Sequence, residues 1–269
     1  MRKSFPFFFS SLGALFLLAM CCYFAHVYCV RHRKYASPEP ILITALPNSG
    51  GCSVERTLSH FFHAPIFQLS EDLDNFADFV KKRGLGRFSS HPSDHRLAIM
   101  QEHLRKMIVH VRDPRQILVS WVHHLEKLNT HQLHHEILKS PHPLPEDYFA
   151  WNFHQKIDWQ IEHFFKDSIA WLEAWLDFSD NQKVVDVKIT SYDELHSAPL
   201  SFFKDVIAFY GKNPQKFKEE HLSKIAPGIH SRYRSINPQE WKSMLSPEQR
   251  EYTTSLIPIT LLTRFNWEV

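Results

Sequence analysis

The run Ile41-Leu42-Ile43-Thr44-Ala45-Leu46 is short, rich in β-branched residues and stopped by Pro47. The next segment, Asn48-Ser49-Gly50-Gly51-Cys52-Ser53, is small and turn-forming, and a helical pattern begins at Val54 and runs to Phe62. Strand, small-residue loop and helix N-terminus in that order form an anion cradle, because free backbone N–H groups and the helix dipole converge on one spot. A second strand downstream delivers a loop to an anion by another means. Met107-Ile108-Val109-His110-Val111 reads as a strand that delivers Arg112, a forked cation suited to phosphate. Ser120 stands eight residues on, about two turns into the next helix. A third strand, Val184 to Ile189, leads to Ser191-Tyr192-Asp193-Glu194-Leu195 and an amphipathic helix, Pro199 to Tyr210, closed by Gly211. Strands alternating with helices predict an α/β fold with a central, mostly parallel sheet covered on both faces. Two anion sites on one sheet imply a ligand with phosphates at both ends.

The N-terminus is a different material. From Phe5 to Val30 there is no Asp, Glu, Lys or Arg, and about 20 apolar residues suffice for a helix to cross a bilayer. The stretch is too long for a signal-peptide core, so an uncleaved single span is expected. Arg2 and Lys3 precede it, and Arg31, His32, Arg33 and Lys34 come after it. The surplus on the Arg31 side favours a domain facing the cytoplasm, or the Golgi lumen if the source is eukaryotic. The predicted organisation is therefore a tail and transmembrane anchor over 1–34, a Pro-containing linker over 35–40 and one catalytic domain over 41–269.

The rest of the chain fits a single domain. Gln68 to Lys82 carries apolar residues at helical spacing and is broken by Arg83-Gly84-Leu85-Gly86. Asp94 to Lys106 reads as another helix, and Tyr148 to Phe178 as a long helical stretch whose aromatic stripe is core. Asn129 to Pro145 is His- and Pro-rich, the composition of a surface loop. Ser246 and Pro247 form an N-cap and first turn for a last helix. A formal net charge of +2, with scattered basic residues, argues against nucleic acid as a partner. His123, His124, His131, His134 and His135 lack the Cys partners or the His-Glu-x-x-His spacing of a zinc site, so no metal is expected. The loop after the first strand also lacks the Gly-x4-Gly-Lys pattern of an ATP-binding kinase.

Four motifs in order resemble the sulfotransferases that use 3′-phosphoadenosine 5′-phosphosulfate (PAPS). They are Pro47 to Gly50, Arg112 to Ser120, Tyr192 to Leu195 with Tyr210-Gly211, and Arg234 to Lys242 with Trp241. The resemblance implies a P-loop-type three-layer fold with the nucleotide held across the strand ends. It implies that Pro47, Asn48, Ser49, Gly50, Gly51, Cys52 and Ser53 cradle the 5′-phosphosulfate, that Arg112, Ser120 and Arg234 hold the 3′-phosphate, and that Tyr192 lies near the adenine. His91, in Phe88-Ser89-Ser90-His91-Pro92, resembles the family's general base, with His95 and His110 as lesser choices; an imidazole suits proton removal near neutral pH. The acceptor implied is a hydroxyl, or secondarily an amine, of a carbohydrate, lipid or small molecule.

The chain departs from the family pattern at Asn48, where the family carries Lys or Arg, and at Gly51 and Cys52, where the family often has hydroxyl residues. A cation there stabilises the charge that develops on the leaving phosphate. Arg56, one turn into the helix, and Arg115 are the sequence's substitutes for it. The alternative reading is a membrane-anchored protein of the same fold that binds the nucleotide with impaired catalysis.

Overall fold

All five residues of β1 (Ile41–Ala45) are buried, which requires apolar cover on both faces. A computed structural model describes residues 20–21, 39–128, 142–223 and 237–268, and it supplies that cover. Around β1 stand β2 (Ile66–Gln68), β3 (Leu85–Phe88), β4 (Lys106–Val111) and β5 (Asp186–Ser191). Their order is β2-β3-β1-β4-β5, every neighbouring pair is parallel, and Ile43 lies opposite both Arg87 of β3 and Ile108 of β4.

The alternation of β1 sorts the core into two layers. Ile41, Ile43 and Ala45 pack with Val54, Leu58, Phe61 and Phe62 of α1 (Gly51–Phe62). Leu42, with Met107 and Val109 of β4, faces the opposite layer, where Ile117, Leu118 and Val122 meet the buried indoles Trp171 and Trp175. Helices on both faces of a parallel sheet give the three-layer arrangement expected.

The remaining helices that frame the site are α2 (Phe76–Lys81), α3 (Asp94–His103), α4 (Pro114–Lys127), α5 (Phe153–Gln160), α6 (Lys166–Asn181), α7 (Tyr192–Ser197) and α8 (Pro199–Phe209). Three expectations need correction. The glycines read as a break belong to β3 and its approach: a Cβ on Gly84 would sit 2.3 Å from Phe67 Cδ2, and one on Gly86 would sit 2.9 Å from Leu69 Cδ1. They admit neighbouring side chains onto the strand. The helix expected over Gln68 to Lys82 shrinks to α2, because local bonds stabilise a turn before it. Asn75 Nδ2 donates to the Gln68 carbonyl at 2.7 Å and the Asp74 amide donates to Ser70 Oγ at 3.0 Å. The long stretch after Tyr148 is interrupted by a π-turn at Ile161–Phe165 between α5 and α6. Ser246 caps Pro247–Leu256 as expected, with Gln249 completing a capping box.

Apart from Met20 and Cys21, the apolar N-terminal stretch read as a membrane span lies outside the described residues, as do Arg234 and the His131, His134 and His135 group. Among the described residues, no helix is long and apolar enough to cross a membrane.

Candidate functional site

The turn after β1 is built from unusual backbone. Asn48 is left-handed at φ 60°, a region Asn tolerates better than most residues, and Gly50 has φ 96°. Ser49 folds back on Leu46, its hydroxyl donating to the Leu46 carbonyl at 2.7 Å, and the Ser53 amide donates to the Gly50 carbonyl at 2.9 Å. The amides of Gly50, Gly51 and Cys52 are left without an acceptor among the described residues. Three successive free N–H groups at the start of the 12-residue α1 are a nest for an anion. Neither glycine can be replaced without a clash: a Cβ on Gly50 would lie 2.9 Å from Tyr192 Cδ2, and one on Gly51 would lie 2.8 Å from Ala45 Cβ.

Arg112 leaves the end of β4 beside this nest. Its Nη1 donates to the Asn48 carbonyl at 2.5 Å, its Nε to Gln116 Oε1 at 2.8 Å, and its guanidinium lies 3.9 Å from the centre of the Tyr192 ring. Burial pulls its pKa down, while Tyr192 and the carboxylates of Asp193, Asp113 and Glu240 oppose that shift. Gln116 also donates from Nε2 to the Asn237 carbonyl at 2.6 Å, so the segment three positions beyond Arg234 is tied to the same helix. Ser120, half-buried, stands one turn further along that face of α4. Tyr192 is set by the start of α7, where Ser191 and Glu194 form a capping box. The Asn48 amide nitrogen is buried with no partner.

His110 of β4 is fully buried. Its Nδ1 pairs with Thr190 Oγ1 at 2.9 Å, and Nε2 faces the Ser49 backbone without a well-formed hydrogen bond. A Cβ on Gly50 would come within 3.3 Å of that Nε2, so the orphaned nitrogen borders the nest. Burial drives the pKa of His110 down to about 4, with Arg112 adding to the effect. The group is a neutral polar lining at physiological pH.

His91 lies between β3 and α3. Its Nε2 is 3.0 Å from Asp167 Oδ1 at the start of α6, and its carbonyl accepts from Arg96 Nη1 at 3.2 Å. The preceding carbonyl, of Ser90, accepts from both Trp171 Nε1 and Trp175 Nε1 at 3.2 Å, which fixes this loop on the core. His95 is exposed on α3.

Of the two cations nominated to replace a basic residue at position 48, one is engaged elsewhere and the other is exposed. Arg115 is fully buried; its Nε and Nη2 bond Asp113, its Nη1 donates to Thr254 Oγ1 at 2.9 Å, and it stacks 3.9 Å from the Trp241 ring centre. It ties α4 to the C-terminal segment. Arg56 is exposed on α1. A residue with no signal in the sequence approaches the loop instead: Arg87 of β3 directs Nη1 onto Cys52 Sγ, and a Cβ on Gly51 would meet Arg87 Cδ at 3.2 Å. The glycines around Arg87 conceal β3, and with it the direction of this side chain. Among the described residues no group of three or more metal-ligating side chains forms.

A family profile described as sulfotransferase domain matches residues 38–257. Among solved structures, the chain is similar to a mouse sulfotransferase, SULT7A1, complexed with PAP, at 14% identity over 84% of each chain and a TM-score of 0.55. It is also matched by a retinol dehydratase in complex with retinol and PAP, at 12% identity over 83% of this chain and 82% of that one, with a TM-score of 0.45. A sulfotransferase from Alicyclobacillus acidocaldarius matches at 14% identity over 80% of this chain and 90% of that one, with a TM-score of 0.42. No curated protein matches significantly.

The depressed pKa of His110 makes the fold pH-dependent in a defined window. The unfolded imidazole takes a proton near pH 6.5 while the folded one resists it until about 4. The unfolded state therefore binds more protons between these values, and stability falls as the pH drops through the window, by about 3 kcal/mol in all. Denaturant unfolding at pH 7 and pH 4.5 should show this loss in the wild type and a smaller one in His110→Gln. Equal losses in both would remove His110 as the cause.

Proposed function

Because the chain belongs to the sulfotransferase domain family, whose enzymes draw on PAPS, we propose that it transfers a sulfuryl group from PAPS to a hydroxyl, with an amine as the secondary choice, of a carbohydrate, lipid or small-molecule acceptor. The observation that carries this reading is the juxtaposition of the three free amides of Gly50, Gly51 and Cys52 with Arg112 stacked on Tyr192, at the ends of adjacent strands. Residues that fit a doubly phosphorylated nucleotide are present: a nest that excludes side chains, and an orphaned buried imidazole nitrogen beside it. The mouse structure that shares this fold was solved with PAP, which supports the same reading.

In this reading the loop from Pro47 to Ser53 binds the 5′ end, with the amides of residues 50 to 52 as its donors. Arg112, Ser120 and Arg234 bind the 3′-phosphate, and the tether of Asn237 to Gln116 supports the inclusion of Arg234. Tyr192 borders the base. His91 takes the acceptor proton as the acceptor oxygen forms its bond to sulfur. The bond between sulfur and the bridging oxygen breaks, and its electron pair leaves with PAP. Asp167 orients the imidazole from Nε2 and steadies the imidazolium that results. The chain needs no metal in this scheme, since its own cations and amides meet the donor's charge.

If the 3′-phosphate is recognised, calorimetry should show PAP binding at least about tenfold more tightly than adenosine 5′-monophosphate, since charge-assisted contacts are lost without that group. Equal affinities would dismiss the assignment. With labelled PAPS and a panel of acceptors, His91→Ala should reduce turnover by about 10² to 10⁴ while PAP affinity stays near the wild-type value. Unchanged turnover would move the base elsewhere.

We also propose that the apolar stretch from Phe5 to Val30 anchors the protein in a membrane as a single span, the domain facing the cytoplasm or, in a eukaryotic source, the Golgi lumen. The full chain should then resist alkaline extraction from membranes, and a chain beginning at residue 36 should be released. Release of the full chain would reject the anchor.

A further inference from the structure

We infer that Arg87 is the cation that binds the 5′ end of the donor and stabilises the charge collecting on its leaving oxygen; the inference rests on the sulfotransferase reading above. The loop itself offers only neutral groups, since Asn48 to Ser53 contains no Lys or Arg. Arg112 is committed to the Asn48 carbonyl, Gln116 and the Tyr192 face, and Arg115 to Asp113, Thr254 and Trp241. Arg87 approaches from the other side. Strand β1 lies between β3 and β4, so the loop that β1 delivers is bracketed by Arg87 on one neighbouring strand and Arg112 on the other.

The Arg87 side chain runs along the first turn of α1. Its Cδ packs where a Cβ of Gly51 would come within 3.2 Å, and its Nη1 meets Cys52 Sγ. Gly51 and Cys52 carry two of the three free amides, so the guanidinium sits at the edge of the nest. A thiol is a weak acceptor, and a guanidinium has five N–H donors in a fixed fork. Arg87 forms no ion pair among the described residues, although the buried carboxyl of Glu55 feels its charge. The fork therefore has donors available for an anion seated on the amides. An independent observation marks the same place as a ligand site: the buried Asn48 Nδ2 in the loop has no hydrogen-bond partner, and the fully buried His110 Nε2 borders Gly50.

The chemistry gives this cation a task. As the acceptor oxygen bonds to sulfur and the bond to the bridging oxygen breaks, the electron pair remains on that oxygen at the 5′-phosphate, and the acceptor proton goes to His91. Negative charge grows at the 5′ end, where a fixed guanidinium is worth more to the transition state than to the ground state.

Two ligands separate the ends of the nucleotide. PAP carries both phosphates, whereas adenosine 3′-monophosphate lacks the 5′ group. Calorimetry on the full protein should show Arg87→Met weakening PAP by about tenfold or more while leaving adenosine 3′-monophosphate within about twofold of wild type. Turnover with labelled PAPS at saturating donor should fall by about 10² or more. Arg87→Lys keeps the charge with a shorter reach, and should give a smaller loss confined to PAP, which preserves the test if the Met variant folds poorly. Equal weakening of both ligands, or of neither, would overturn the assignment, and a PAP-specific loss with unchanged turnover would overturn the role at the leaving oxygen. A wild type that binds neither nucleotide would instead overturn the sulfotransferase reading itself.

Discussion

The Arg112 guanidinium holds the site together. Through Nη1 it fixes the carbonyl of Asn48 after β1, through Nε it fixes Gln116 on the helix that follows it, and its face carries Tyr192, which comes directly after β5. Because β1, β4 and β5 are consecutive in the sheet, one side chain joins the ends of three strands. None of these contacts neutralises it: a carbonyl, an amide oxygen and a ring face are dipoles and a quadrupole rather than charges. A buried cation with only neutral partners in contact leaves the strand ends positive, the condition under which a phosphate is drawn out of water. Asp193, Asp113 and Glu240 offset part of that field from farther away.

The sequence Arg112-Asp113-Pro114-Arg115 assigns opposite duties to two arginines three residues apart. Asp113 caps α4, accepting from the Arg115 amide, and then takes the Arg115 side chain as well, which turns that guanidinium away from the nest and onto Trp241. A fully paired, fully buried arginine is a structural cross-link, and breaking it would strand a charge in the core. The link matters for function because it seats the C-terminal segment against α4, where Gln116 also holds Asn237.

The parts of the molecule governed by local pattern are legible in the chain. The strands before Pro47 and Arg112 announce themselves by apolar runs, and Ser246-Pro247 by its capping chemistry, so the sheet's centre and the two anion loops can be located from residues alone. The parts that escape are set by tertiary packing. Gly84 and Gly86 have the composition of a turn yet flank and occupy a strand, because Phe67 and Leu69 fill the space their missing side chains leave. With β3 hidden, Arg87 has no direction in the sequence, and the missing cation is sought at Arg56, which is exposed on α1, and at Arg115, which Asp113 holds. The pairing of His91 with Asp167 spans 76 positions and has no local signature.

The loop's backbone and the neighbouring strand divide the surroundings of the free amides between them. Presenting three free amides places Asn48 in the left-handed region, which Asn tolerates well, and Gly50 at φ 96°, with Arg112 gripping the Asn48 carbonyl. Gly50 and Gly51 in turn admit no Cβ, since Tyr192 and Ala45 stand too close. Gly50 and Gly51 are thereby closed to longer side chains by the geometry around the free amides. A parallel sheet offers another approach, because its strand ends lie side by side about 4.8 Å apart. A long side chain on β3 then reaches the first turn of α1 without taking part in the turn itself, so that free amides and guanidinium are set on separate pieces of backbone.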